Sequence, residues 1–184
     1  MIRCFLAIAI PEEIADAIDD IQNGLRNANW VPAENLHITL SFLGDLDRHQ
    51  LGDLDAVLSK LTAPRVSLAL AGVGSFGGRD PRLVLANVAE NADLRRLQAK
   101  VETAVQRAEI EIETRRYTPH VTLARWRRGE VRWPEMRPYF EAHNLFRSNV
   151  FDVDAYHLYR SELGRHGPSY EIMASYPLAH STGS

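Results

Sequence analysis

The spacing of hydrophobic positions changes several times along the chain, and each change marks a new element. A run at residues 2–10, apolar but for Arg3, reads as a buried strand. Pro11, Glu12 and Glu13 then open a helix, because Pro fits a first turn and acids favour the positive end of the helix dipole. Ile14, Ile18, Ile21 and Leu25 form its apolar stripe. Pro32 and Asn35 punctuate the approach to an alternating stretch at 36–43, after which Gly44 and Asp45 are expected to turn the chain. Asp47 is placed to cap a second helix carrying Leu51, Leu54, Val57, Leu58 and Leu61. Residues 66–73 alternate, a glycine-rich stretch follows, and 82–88 reads as the second strand of a hairpin. Asn91 can cap a third helix with Leu94, Leu97, Val101, Ala104 and Val105 at helical spacing. A strand at 117–124, a short helical piece from Trp133, and strands at 151–159 and 170–178 complete the order. Residues 179–184 are expected to be a frayed tail behind a single domain at 1–178.

Two of these strands carry the same tetrapeptide pattern. Leu36-His-Ile-Thr-Leu-Ser-Phe-Leu contains His-x-Thr-Leu, and His120-Val-Thr-Leu repeats it. Alternate side chains of a strand point to opposite faces. Strict alternation puts Leu36, Ile38, Leu40 and Phe42 on one face and His37, Thr39 and Ser41 on the other. In the second copy Val121 and Leu123 lie behind His120 and Thr122. Each half of the chain thus has a helix feeding a His-bearing strand, which predicts an internally duplicated, bilobed α+β fold.

Composition narrows the function classes. With 184 residues and 45% hydrophobic side chains the chain can bury a full core. No apolar run approaches the ~20 residues of a membrane-spanning helix, and no secretory leader is evident, so the expectation is a cytoplasmic protein with no membrane partner. A lone cysteine, Cys4, sits in an apolar run and reads as buried and inert. A net charge of −3 does not suit a coat for long nucleic acid. Locally, however, Arg115, Arg116, Arg125, Arg127, Arg128, Arg132 and Arg137 surround the second motif, either as a solvated edge or as a phosphate-attracting rim.

Two histidines with two hydroxyls and an arginine match the needs of phosphodiester cleavage: a base, an acid, and donors for the phosphoryl oxygens. Histidine's ordinary pKa near 6.5 lets one ring be neutral and the other protonated. A metal site is the competing chemistry, but each motif holds one His and neither His-Glu-x-x-His nor Asp-x-Asp accompanies them. His49, His143, His157, His166 and His180 lack repeated context and read as surface or packing residues.

The motifs at 36–44 and 119–125, with Arg3-Cys-Phe-Leu-Ala-Ile at the start, Phe76 to Arg82 in the middle, and Leu158-Tyr-Arg-Ser-Glu-Leu-Gly and Gly167-Pro-Ser-Tyr near the end, resemble the 2H phosphoesterase superfamily. The likeness is to its RNA 2′,3′-cyclic phosphodiesterases, also described as 2′-5′ RNA ligases. It implies two antiparallel sheets facing a central groove with helices outside, and hydrolysis of a terminal 2′,3′-cyclic phosphate to a 2′-phosphate. It further implies His37 and His120 as the catalytic pair, with Thr39, Thr122 and Arg125 holding the phosphate. The implied partners are RNA termini or small nucleotides; no metal or other cofactor is called for, and a monomer is expected. Alternation puts Arg125 on the wrong side of its strand, so this role demands that the strand end or bulge after Leu123. Leu85 stands where many relatives carry an aromatic, which leaves Phe76 as the candidate nucleobase contact, with a core position as its competing reading. Ligation of RNA halves, as the reverse reaction, and a non-catalytic RNA-binding module are the alternative readings.

Overall fold

The computed structural model describes residues 1–179, which form ten strands and four α-helices. The strands are β1 (Ile2–Ala9), β2 (Asn29–Trp30), β3 (His37–Leu46), β4 (Val66–Leu68), β5 (Leu70–Phe76), β6 (Leu83–Val88), β7 (His120–Arg125), β8 (Phe151–Val153), β9 (Ala155–Gly164) and β10 (Gly167–Pro177). The helices are α1 (Glu12–Asp19), α2 (Arg48–Leu58), α3 (Ala92–Arg107) and α4 (Trp133–His143).

Local chemistry explains most boundaries. Pro11 precedes α1, and Glu12 and Glu13 occupy its first turn. Asp47 caps α2 by accepting from the Gln50 amide, while the Gln50 side chain answers the Asp47 N–H, a full capping box. Asn91 caps α3 through the Leu94 amide. Several boundaries differ from expectation: α2 stops at Leu58, short of Leu61, the stretches at 66–73 and 151–159 are each divided between two strands, and β7 begins at His120 rather than at 117. The first helix ends at Asp19, so Ile21 and Leu25 are buried from the following turns rather than from the helix. The chain does not turn at Gly44: β3 runs on to Leu46, and Gly44 at φ +71° takes the left-handed conformation beside a bulge. Ala179, expected in the frayed tail, exchanges backbone hydrogen bonds with Ala63 and Arg65. Residues 180–184, including His180, lie outside the described residues.

The main sheet is antiparallel throughout, in the order β10-β9-β1-β3-β7-β6-β5, with β2 alongside β7 and β4 paired separately with β8. The halves β10-β9-β1-β3 and β7-β6-β5 are joined by the register pair Ile38↔Val121. The duplication is visible in the topology. The run β1-α1-β3-α2-β4-β5 is followed by β6-α3-β7-α4-β8-β9, with β10 added at the edge. Each repeat hands its last strand to the other half, since β5 pairs β6 and β9 pairs β1.

One apolar core joins the helices to the sheet face bearing Ile38, Leu40, Val121 and Leu123. All four helices contribute to it, through residues such as Ile14, Leu54, Leu97 and Met136. The opposite face carries a separate small cluster of Phe5, Ala7 and Tyr159 with Tyr170 packed on it. No helix among the described residues is long and apolar enough to cross a membrane.

Candidate active site

The register pair Ile38↔Val121 sets the two motifs antiparallel and side by side. Both β-branched residues are fully buried on the helix side, so their neighbours His37, Thr39, His120 and Thr122 emerge together on the open face, all half-buried. Antiparallel sense brings His37 toward Thr122 and Thr39 toward His120. The arrangement has an approximate twofold axis through the seam.

The symmetry reaches the backbone. Thr39 pairs with Ala7 and Ser41 with Leu6, so Leu40 is an extra residue in β3. Thr122 pairs with Leu85 and Ala124 with Val84, so Leu123 is an extra residue in β7. Both motifs therefore bulge at their Leu, and parity changes beyond it. Leu40 and Ser41 are both buried, as are Leu123 and Ala124. Phe42, expected on the buried face, is instead 69% exposed. Arg125, its counterpart, returns to the histidine side of β7 through the bulge at Leu123, and its charge acts on both rings.

Each histidine is oriented in the same way. A ring Nδ1 lies 2.7 Å from the Asn35 carbonyl for His37 and 2.8 Å from the Thr118 carbonyl for His120, in both cases two residues upstream. The Nδ1–H donates there, which fixes the tautomer and leaves Nε2 free. Burial pushes both imidazoles below their ordinary pKa, the carbonyl bond partly opposes that, and the Arg125 charge lowers both again. His37 also senses His120. One guanidinium and two rings thus share a single field.

The open face is concave. Tyr170 on β10 stands three ladder steps from β3, ~14 Å on a flat sheet, yet its ring centre is 5.3 Å from that of His37, edge to face. Asn35 ties this fold-over by donating to the Pro168 carbonyl. On the other flank Phe76 meets His120 edge to face at 4.9 Å and keeps 42% exposure. Phe5 packs against His37 at 4.9 Å and stacks on Tyr159 at 5.0 Å. Sequence reading placed Phe76 here by likeness, but missed Phe5, Tyr159 and Tyr170. Their groove position follows from β9 and β10 closing on β1, a pairing no local pattern announces.

The arginine rim is less open than its sequence suggests. Arg115, Arg128 and Arg137 are paired with Glu113, Asp80 and Glu141. Arg125 has no such carboxylate partner among the described residues. Nor, among those residues, do three or more His, Cys, Asp or Glu side chains gather where a metal ion could be held. The arrangement supplies two proton-transfer groups, two hydroxyls and one cation.

Comparison with known proteins bears on the family and the fold. The model of the 2′-5′ RNA ligase superfamily matches residues 10–165. A protein of Geobacillus stearothermophilus named RNA 2′,3′-cyclic phosphodiesterase is 35% identical over 95% of this chain, which spans only 56% of that relative's length. A Bacillus subtilis protein of the same name is 30% identical, with 95% of this chain and 96% of the relative covered. Among solved structures, TT0787 of Thermus thermophilus superposes with a TM-score of 0.80 at 27% identity, covering 97% of this chain and 99% of that one.

Proposed function

The chain belongs to the 2′-5′ RNA ligase superfamily, and on that footing we propose that it hydrolyses a terminal 2′,3′-cyclic phosphate on RNA or a small nucleotide to a 2′-phosphate, without a metal. The observation that carries this reading is the pair of identically oriented histidines, each with Nε2 free, under the charge of Arg125.

The cyclic phosphate sits between the motifs, its non-bridging oxygens held by the Thr39 and Thr122 hydroxyls and the Arg125 guanidinium. His120 Nε2 takes a proton from water as the new oxygen–phosphorus bond forms. The phosphorus–O3′ bond breaks, and protonated His37 delivers its proton to the departing 3′ oxygen. The 2′ ester bond is retained. One proton has moved from His37 to His120, and exchange with solvent restores the starting state. Phe76, edge-on to His120 at the rim of the groove, is placed for a nucleobase to stack on its exposed part.

The deciding assay is hydrolysis of a 2′,3′-cyclic nucleotide in excess chelator, with the product identified by phosphorus NMR. Undiminished formation of the 2′-phosphate is expected. Chelator-sensitive turnover would replace the two-histidine scheme with a metal-assisted one. Binding of RNA with no turnover at all would make the chain a binding module.

A further inference from the structure

A third histidine shares the open face with the catalytic pair. Thr39 lies opposite Ala7, Ala7 opposite His157, and His157 opposite Ser175. Residues directly paired across antiparallel strands project on the same side. Thr39, Ala7, His157 and Ser175 therefore form one row across β3, β1, β9 and β10. His157 stands two ladder steps, ~10 Å, from Thr39. Between them Ala7 contributes only a methyl group, fully buried in the cluster with Phe5 and Tyr159.

His157 and Ser175 are hydrogen-bonded, ring Nδ1 to hydroxyl, at 2.8 Å. Either the hydroxyl donates to the ring, leaving Nε2–H outward, or the ring donates to the hydroxyl, leaving O–H outward. Each arrangement leaves one donor for a ligand oxygen. The ring is held edge to face against Tyr159 at 5.8 Å, and Tyr159 stacks on Phe5, which packs on His37. An aromatic strip therefore connects this pair to the proposed catalytic centre. The duplication does not supply an equivalent in the other half, where the matching position on β5 is Gly74, opposite Leu85 as His157 is opposite Ala7.

We infer that His157 and Ser175 form a subsite for the phosphodiester oxygen of the nucleotide preceding the cyclic phosphate, so that the enzyme prefers an oligonucleotide end to a mononucleotide. This inference rests on the proposed cyclic phosphodiesterase activity. A polar pair at this distance along the groove has no part in the proton transfers, but an extended strand leaving the site along this row passes it.

The test compares kcat/KM for a 2′,3′-cyclic mononucleotide with that for a dinucleotide ending in the same cyclic phosphate. Wild type favours the dinucleotide, and His157→Ala and Ser175→Ala each lower the dinucleotide-to-mononucleotide ratio about fivefold, the size of one neutral hydrogen bond. His157→Asn, which keeps a donor, retains most of the ratio. An unchanged ratio in an active enzyme would overturn the subsite. So would an equal fall for both substrates with a lowered Tm, which would mark the pair as a cross-strand tie only. Wild type inert toward both substrates would overturn the functional reading itself.

Discussion

At the level of single residues the site depends on two imidazoles whose environments are nearly interchangeable. In the proposed scheme, replacing His37 or His120 by Ala removes the acid or the base, and turnover is expected to fall by at least about a hundredfold in each case; near-native activity in either variant would end the two-histidine scheme. Since burial and Arg125 hold both rings below the ordinary histidine value, the bell of kcat/KM against pH should peak on the acid side of about 6.5. Arg125→Gln removes a positive charge that disfavours both imidazolium forms. Both limbs should therefore move to higher pH, alongside a lower maximum from weaker phosphate binding. The same shifts bear on stability. The unfolded rings take protons more readily than the folded ones, so stability is full above about pH 6.5 and is lost as pH falls through the window below it. Denaturant titrations at pH 7.5 and 5.5 would show the lower midpoint at the lower pH.

The element that makes the site is the bulged strand. Each extra leucine has its carbonyl met by a glutamine amide: Gln98 of α3 donates to Leu40 at 3.3 Å, and Gln22, just past α1, donates to Leu123 at 3.1 Å and to Val31 at 2.9 Å. The helix region of each repeat thus supports the motif of the other. Gln98→Leu would take that donor from the Leu40 carbonyl and Gln22→Leu would take it from the Val31 carbonyl, at a cost of ~1–3 kcal/mol each, while the Leu123 carbonyl keeps the Val31 N–H at 2.9 Å. A lowered urea midpoint with unchanged slope, and a kcat that falls more than KM rises, are the expected readings. The bulges also mark where sequence reading stopped. Motif spacing, the caps at Asp47 and Asn91 and the helical stripes are local signals, and they located most elements. The parity change is not local, because Leu40-Ser41 and Leu123-Ala124 still alternate apolar with small residues and look like continuous strands. Only the partner strand reveals the additional residue, and with it the exposure of Phe42 and the return of Arg125. His157 reads as a surface or packing residue in sequence for the same reason, since its place in the groove is set by β9 pairing with β1 across most of the chain's length. The two-residue β2 is too short to leave any periodic signature.

Across the whole molecule, duplication and exchange act together. The first repeat supplies β1 and β3 to one half of the sheet but β5 to the other, and the second repeat lends β9 and the appended β10 in return. The two repeats meet again where β4 pairs β8, at Val66↔Val153, Ser67↔Asp152 and Leu68↔Phe151. A single apolar core continues beneath both motifs, with Ile38 and Val121 fully buried at the seam. Neither repeat therefore owns a closed sheet, and neither can bury its helices alone. A fragment ending in the β5–β6 connection would leave β1 without β9 and β5 without β6, exposing two long strand edges. It should be unfolded or aggregated by circular dichroism, whereas the full chain should unfold in one step with coincident near- and far-ultraviolet transitions. Independent folding of that fragment, or two separated transitions in the full chain, would show that the halves are autonomous. That would also weaken the reason the site stays assembled: the histidines come from different repeats, and only the exchange of strands obliges both to be in place at once.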